Sequence, residues 1–150
     1  MRWVFQQAAQ VVASGEGWRK SCIERWLVEE NRVRTIENGS ELVQLLERQQ
    51  LRAFESSPHP ARPVSLVYLG GFYPWHGVTV LLSAFSQALQ QGADLHLTLI
   101  GAGAGLEEAR QKARDLNLQK IVTFTGHLAA NEYARYLAAA DIGVSPYCGW

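Results

Sequence analysis

The chain has 150 residues, with Lys+Arg and Asp+Glu both numbering 14 and a net charge of zero. That length allows one buried core, and a hydrophobic share of 47% excludes a disordered chain. Balanced charge offers no net field to draw nucleic acid or an anionic membrane, so no nucleic-acid partner is expected.

Cys22 and Cys148 lie far apart without metal-ligand spacing. They fit a reducing compartment and structural roles, and no metal site is expected. The opening MRWVFQQAAQVVAS lacks a basic leader followed by an apolar run, which predicts no signal peptide. No apolar run reaches the roughly 18 residues of a membrane span. A cytoplasmic location is expected, at most peripheral to the inner membrane face. Asn38-Gly39-Ser40 matches a glycosylation sequon but reads as a turn.

Residues 1–57 read as βαβ material. A helix is expected over Arg2 to Gln10, and a short strand over Val11 to Ser14. Gly15 and Gly17 precede a helix from about Trp18 to Val28, with Cys22, Ile23, Trp26 and Leu27 on its apolar face. A strand over Arg32 to Glu37 ends at the Asn38-Gly39 turn. A helix over Glu41 to Phe54 follows, with Leu42, Leu45, Leu46 and Leu51 as its stripe. The proline-rich stretch 58–63, which contains His59, is the expected linker between domains.

From residue 64 strands and helices alternate. Strand Val64–Leu69 leads through Gly70-Gly71 to a helix over Gly77 to Gln90, with Val80, Leu81, Ala84, Phe85, Ala88 and Leu89 expected inward. Strand Leu95–Ile100 leads through GAGAG to a helix over Leu106 to Leu116. Strand Ile121–Thr125 ends at Gly126-His127. A helix over Asn131 to Ala139, with Asn131 near its N-cap, precedes strand Asp141–Ser145 and Pro146-Tyr147. This alternation predicts an α/β fold: a Rossmann-like parallel sheet with helices on both faces. A domain stopping shortly after a fourth strand reads as incomplete. The edge of strand 141–145 is then expected to be unpaired and to promote self-association.

In such sheets ligands bind beyond the carboxyl ends of the strands. Those ends carry Gly70-Gly71, Gly101-Ala102-Gly103, Gly126-His127 and Pro146-Tyr147, four marked ends on one rim. The largest cavity is expected there, lined by Gly70, Gly71, Gly101 and His127. A strand–Gly–helix turn suits a phosphate, because unpaired N–H groups of the first helical turn face the ligand. The same turn also serves simply to lead the chain out of a strand. The rim holds no carboxylate pair and no Ser/His/Asp set. A nicotinamide-cofactor reading of GAGAGL fails, since Leu106 replaces the third glycine and Ile121–Thr125 carries no acidic residue.

The series VYLGGFYPWHGVTVLLSAF, LHLTLIGAG, IVTFTGHL and YARYLAAADIGVSPY resembles the donor-binding half of a GT-B glycosyltransferase of family 4, the group 1 glycosyltransferases. Val11 to Asn38 is similar to the segment joining that family's two domains, with IENG where the family usually has a Pro-Asn-Gly turn. The resemblance implies that residues 1–57 end an acceptor-side domain and that residues 64–150 form part of a nucleotide-sugar-binding domain. It implies a retaining transfer of a hexose-type sugar from a nucleoside diphosphate sugar to a glycan, lipid or small-molecule acceptor. The donor is a substrate, and no cofactor is implied.

The family's first loop holds the diphosphate through an Arg after the glycine and a Lys before the helix. Gly71 and His76 stand at those positions here, the second in a Trp-His-Gly variant followed by Gly77. By the same likeness Gly101 and Gly103 give close approach to the donor. The Gly126-His127-Leu128 loop meets the base through its backbone, and Pro146 and Tyr147 close the rim. Catalytic residues are expected outside this chain, as is the paired-glutamate motif, which would follow Trp150. A second reading is a non-catalytic nucleotide-binding or interaction module from a truncated reading frame.

Overall fold

A computed structural model describes residues 2–39, 44 and 62–147. The expected helix 41–54 apart from residue 44, most of the linker 58–63 with His59, and Cys148 lie outside the described residues. The chain divides into two compact units, Met1–Glu41 and Leu42–Trp150.

The first unit is a small βαβ. Helix α1 spans Arg2–Gln7, strand β1 Val11–Ala13, helix α2 Glu16–Glu24 and strand β2 Val33–Thr35, the last entered through a 3-10 turn at Glu30–Arg32. The two strands pair in parallel, Val11 with Val33 and Ala13 with Thr35. Val11, Ala13, Cys22, Val28 and Val33 form the core, with Phe5, Ile23 and Trp26 packed against it. Helix α2 begins and ends earlier than its apolar spacing predicts. Leu27 takes a left-handed φ of 55°, and Val28 N–H bonds the Cys22 carbonyl at 3.0 Å, which closes the helix end. Val28 is thereby buried while Leu27 is turned outward. Helix α1 stops before Ala8, where Arg32 donates to the Gln6 carbonyl at 3.0 Å and to the Ala8 carbonyl. A cation on the last carbonyls is a favourable helix end.

The second unit holds β3 (Val64–Leu69), a 3-10 turn at Pro74–His76, α3 (Val78–Gln90), β4 (Leu95–Ile100), α4 (Leu106–Asp115), β5 (Val122–Gly126), α5 (Ala130–Ala139) and β6 (Ile142–Gly143). All pairs are parallel, in the order β5-β4-β3-β6. The chain steps outward from β3 to β5 and then returns to the other side of β3. With right-handed crossovers, α3 and α4 cover one face and α5 the other. Helices α3 and α4 accordingly pack on each other, and α5 on β3. The core comprises Tyr68, Phe72, Leu81, Leu82, Phe85, Leu97, Leu99, Ala109, Ala113 and neighbours. This is the expected Rossmann-like sheet.

Three expectations shift. The buried stripe of α3 is Val78, Leu81, Leu82, Phe85 and Ser86, while Val80 is 58% exposed. The helix is rolled toward Leu82, because Leu82 and Phe85 meet the sheet. The N-cap of α5 is Ala129, not Asn131: the Glu132 carboxylate reaches back to accept the Ala129 N–H at 2.9 Å. Strand β6 pairs only through Ile142 and Gly143, and both are exposed.

Candidate functional site at the carboxyl rim

Because every strand runs the same way, all four carboxyl ends reach one edge of the sheet. The loops there are bonded to one another. Gly70 N–H donates to the Ile100 carbonyl at 3.0 Å, and Phe72 N–H to the Ala102 carbonyl at 3.1 Å. Gly105 N–H donates to the Phe72 carbonyl at 2.7 Å, and Gly101 N–H to the Gly126 carbonyl at 2.8 Å. The β3–β4 ladder thus continues past the strands and draws in the end of β5.

This stitching explains the alternating glycines of GAGAG. Gly101 and Gly103 have φ of 134° and 152°, and a Cβ at Gly101 would stand 1.9 Å from the Gly70 carbonyl oxygen. At Gly103 it would meet Phe72 N at 2.7 Å, and at Gly105 the Phe72 oxygen at 2.8 Å. Alternate residues of an extended chain share a side, so three glycines let segment 70–72 lie directly against 101–105.

The β3–α3 turn is built on Tyr68, which sequence reading passed over as one more strand residue. Its ring is buried edge-on to Phe72, with centroids 5.9 Å apart. Its hydroxyl donates to the Gly71 carbonyl at 2.5 Å. His76 Nδ1 lies 2.8 Å from the same carbonyl and 3.1 Å from the Tyr68 oxygen. A carbonyl only accepts, so Nδ1 carries the proton and only Nε2 is left to face a ligand. Burial, with Tyr147 nearby, pushes the Tyr68 phenol up to about 12. Gly77 takes a left-handed φ of 66°, which turns the chain from the 3-10 turn into α3.

The His76 ring packs against Tyr147 at 4.6 Å and meets Trp75 edge-on at 5.9 Å. Hence Tyr147, beyond the end of β6, meets the first loop. Tyr73 and Trp75 stack in parallel at 5.0 Å and are 45% and 39% exposed. This exposed pair was not foreseen, although two aromatics spaced by two residues around a proline are its signal. His127 is exposed and Leu128 half-buried beyond β5, and the His127 side chain bonds to none of the other rim residues.

The cavities described do not follow the expected lining. One of about 120 Å³ is lined by residues including Phe72, Tyr73, Pro74 and Gly105. One of about 390 Å³ lies between α3 and α4, and one of about 420 Å³ lies beside α5. None of these three is lined by Gly70, Gly71, Gly101 or His127. A Cβ at Gly70 would lie 2.5 Å from the Tyr68 hydroxyl, and one at Gly71 2.9 Å from the Tyr73 ring. Gly70, Gly71 and Gly101 are themselves half-buried. Among the described residues there is no group of three or more metal-binding side chains. No helix among them is long and apolar enough to cross a membrane.

Comparison with known proteins places this geometry in a family. A stretch of 68 residues is 34% identical to the alpha-monoglucosyldiacylglycerol synthase of Streptococcus pneumoniae, covering 45% of this chain and 15% of that protein. Another of 85 residues is 32% identical to the GDP-mannose-dependent alpha-(1-6)-phosphatidylinositol monomannoside mannosyltransferase of Mycolicibacterium smegmatis, covering 57% of this chain and 22% of that protein. The chain therefore spans less than a quarter of either relative in its matched part. The fold superposes on Anabaena HepE, solved in complex with UDP and glucose, with a TM-score of 0.64 at 20% identity over 91% of this chain and 37% of that one. The family model for group 1 glycosyl transferases matches residues 63–149, which contain every strand of the larger sheet and all four rim loops. The chain belongs to the group 1 glycosyl transferases.

Proposed function

We propose that the protein containing this chain transfers a hexose-type sugar from a nucleoside diphosphate sugar to an acceptor, with retention of anomeric configuration and without a metal. The chain supplies the wall of the site that holds the donor. The observation that carries this reading is the bonded rim: backbone hydrogen bonds and the His76–Tyr147 contact bring four carboxyl ends together next to the amino end of α3. Helix-terminal N–H groups favour a leaving diphosphate and act on charge that develops as the glycosidic bond breaks. Gly101, Gly103 and the 126–128 backbone would then border the donor, with Pro146 and Tyr147 closing the rim.

Two relatives are named for diacylglycerol and phosphatidylinositol glycolipids, which favours a lipid acceptor over a free glycan or small molecule. Glucose or mannose is the sugar these names support. The test is incubation of the whole protein with UDP-glucose or GDP-mannose and vesicles of diacylglycerol or phosphatidylinositol, with product anomer read by NMR. Transfer with retention supports the reading, and absence of both transfer and nucleotide binding ends it. Binding of UDP or GDP without transfer to any acceptor would instead support a non-catalytic nucleotide-binding module.

A further inference from the structure

Tyr68 is 1% exposed, and its ring packs with Phe72 in the core of the larger unit. A phenylalanine would fill that place as well, so packing does not account for the hydroxyl. A buried hydroxyl needs a partner, and this one finds it in the turn that follows the strand. The Gly71 carbonyl accepts it at 2.5 Å.

His76 Nδ1 approaches the same oxygen at 2.8 Å. A carbonyl has two lone pairs, so side chains of the protein itself occupy both. At the other end of the same peptide unit, Phe72 N–H donates to the Ala102 carbonyl at 3.1 Å. The 71–72 peptide plane is therefore held at both ends. Two units earlier in the turn, Gly70 N–H is held by the Ile100 carbonyl at 3.0 Å. Between these tethered planes lies only the 70–71 peptide, whose N–H belongs to Gly71. No acceptor among the described residues takes that N–H, and Gly71 is half-buried.

Two consecutive glycines, left to themselves, sample a wide range of backbone angles. The tether on the Gly71 carbonyl removes that freedom, so the Gly71 N–H keeps one direction before any ligand arrives. A group held in advance binds without the cost of ordering it.

We propose that Tyr68 is a positioning residue for the nucleoside diphosphate sugar, acting through the Gly71 carbonyl rather than by touching the donor. Its hydroxyl, jointly with His76, holds the Gly70-Gly71 turn in the arrangement that presents the Gly71 N–H. The inference rests on the donor-binding reading above and adds to it a residue from inside the core.

The test is calorimetric titration of the whole protein with UDP and with GDP, in wild type and in Tyr68→Phe, with backbone NMR on the same samples. Tyr68→Phe should weaken nucleotide binding at least fivefold. It should also loosen the Gly71 amide, whose order parameter should fall below about 0.6 while the amides of β4 keep theirs. Placing 4-aminophenylalanine at position 68 keeps a donor at the end of the ring and should restore both. A Tyr68 that only stabilises the fold would lower the melting temperature and leave nucleotide affinity and the Gly71 amide unchanged, and that result would overturn the proposal. Should Tyr68→Phe fail to fold, the wild type decides. Coupling is reciprocal, so saturating nucleotide must slow exchange of the Tyr68 hydroxyl proton with water, and unaltered exchange would overturn the proposal too. Failure of the wild type to bind either nucleotide ends the donor-binding reading and this proposal with it, whereas binding that Tyr68→Phe leaves intact ends the proposal alone.

Discussion

Arg62 and Asp141, 79 positions apart, form a two-pronged ion pair at 2.7 Å for each prong. The Asp141 carboxylate also accepts the Ser65 N–H at 2.8 Å, and Asp141 N–H returns a bond to the Ser65 carbonyl. One carboxylate therefore ties the entry of β3 to the entry of β6 across the sheet. Its side chain is 13% exposed against 43% for Arg62.

That asymmetry sets the first expectation. Asp141→Ala leaves Ser65 N–H unsatisfied and should cost about 1–3 kcal/mol. Arg62→Ala only releases an exposed partner and should cost about 0.5–1 kcal/mol. Urea denaturation midpoints compare the two, and equal losses would contradict the assignment of Asp141 as the tie.

The glycines form a graded series. At Gly101 and Gly103 a Cβ would collide with backbone, so Ala there should destabilise by more than about 3 kcal/mol or prevent folding. Gly126 has open space but a left-handed φ of 74°, so Gly126→Ala should cost only about 1–2 kcal/mol. Gly143 has open space and no positive φ, and its alanine variant should be near neutral. Thermal melting of the four variants should reproduce that order.

Tyr68 gives a pH signature. Its folded pKa is raised to about 12 from about 10 when unfolded. The native state therefore keeps a proton that the unfolded chain has lost between those values. Stability from this group is full below pH 10 and falls as pH rises toward 12, with a slope of at most about 1.4 kcal/mol per unit. Tyr68→Phe should flatten this decline and be less stable at neutral pH through loss of the bond to Gly71. Denaturation at pH 9 and at pH 11 would show it, and parallel declines in both proteins would not fit.

His76 separates loop building from ligand binding. Its Nδ1–H is committed to Gly71, so Nε2 is the ring nitrogen left to face a diphosphate. His76→Asn keeps a donor near the Nδ1 position and should preserve the melting temperature. It should still lose about 1–3 kcal/mol of nucleoside diphosphate affinity, as should His76→Ala. Full affinity in both variants would leave His76 a loop residue only.

The outer edge of β6 has no partner strand among the described residues, and Ile142 on it is 49% exposed. Such an edge templates pairing with another copy. The chain should self-associate with rising concentration, and Ile142→Lys should shift it toward monomer. Sedimentation velocity showing a monomer at every concentration for the wild type would end this expectation.

Alternation of apolar runs with amphipathic segments was enough to place all the described strands and helices of both units, because hydrophobic period is a local property. The spaced rim glycines and the series of motifs around them were also enough to reach the family. What lay beyond the sequence was decided by contacts between distant residues. Which face of α3 is buried depends on where the sheet meets Leu82, and Val80 reads as equally apolar in the string of residues. Gly101 and Gly103 read alone as close approach to a donor, whereas in the fold the nearest claimant to that room is the backbone of residues 70–72. Tyr68 looks like any strand aromatic until the turn brings the Gly71 carbonyl and His76 onto its hydroxyl. A glycine's permissiveness and a tyrosine's hydroxyl are both written in the sequence, but the neighbour that uses each is set only when the strands take their order in the sheet.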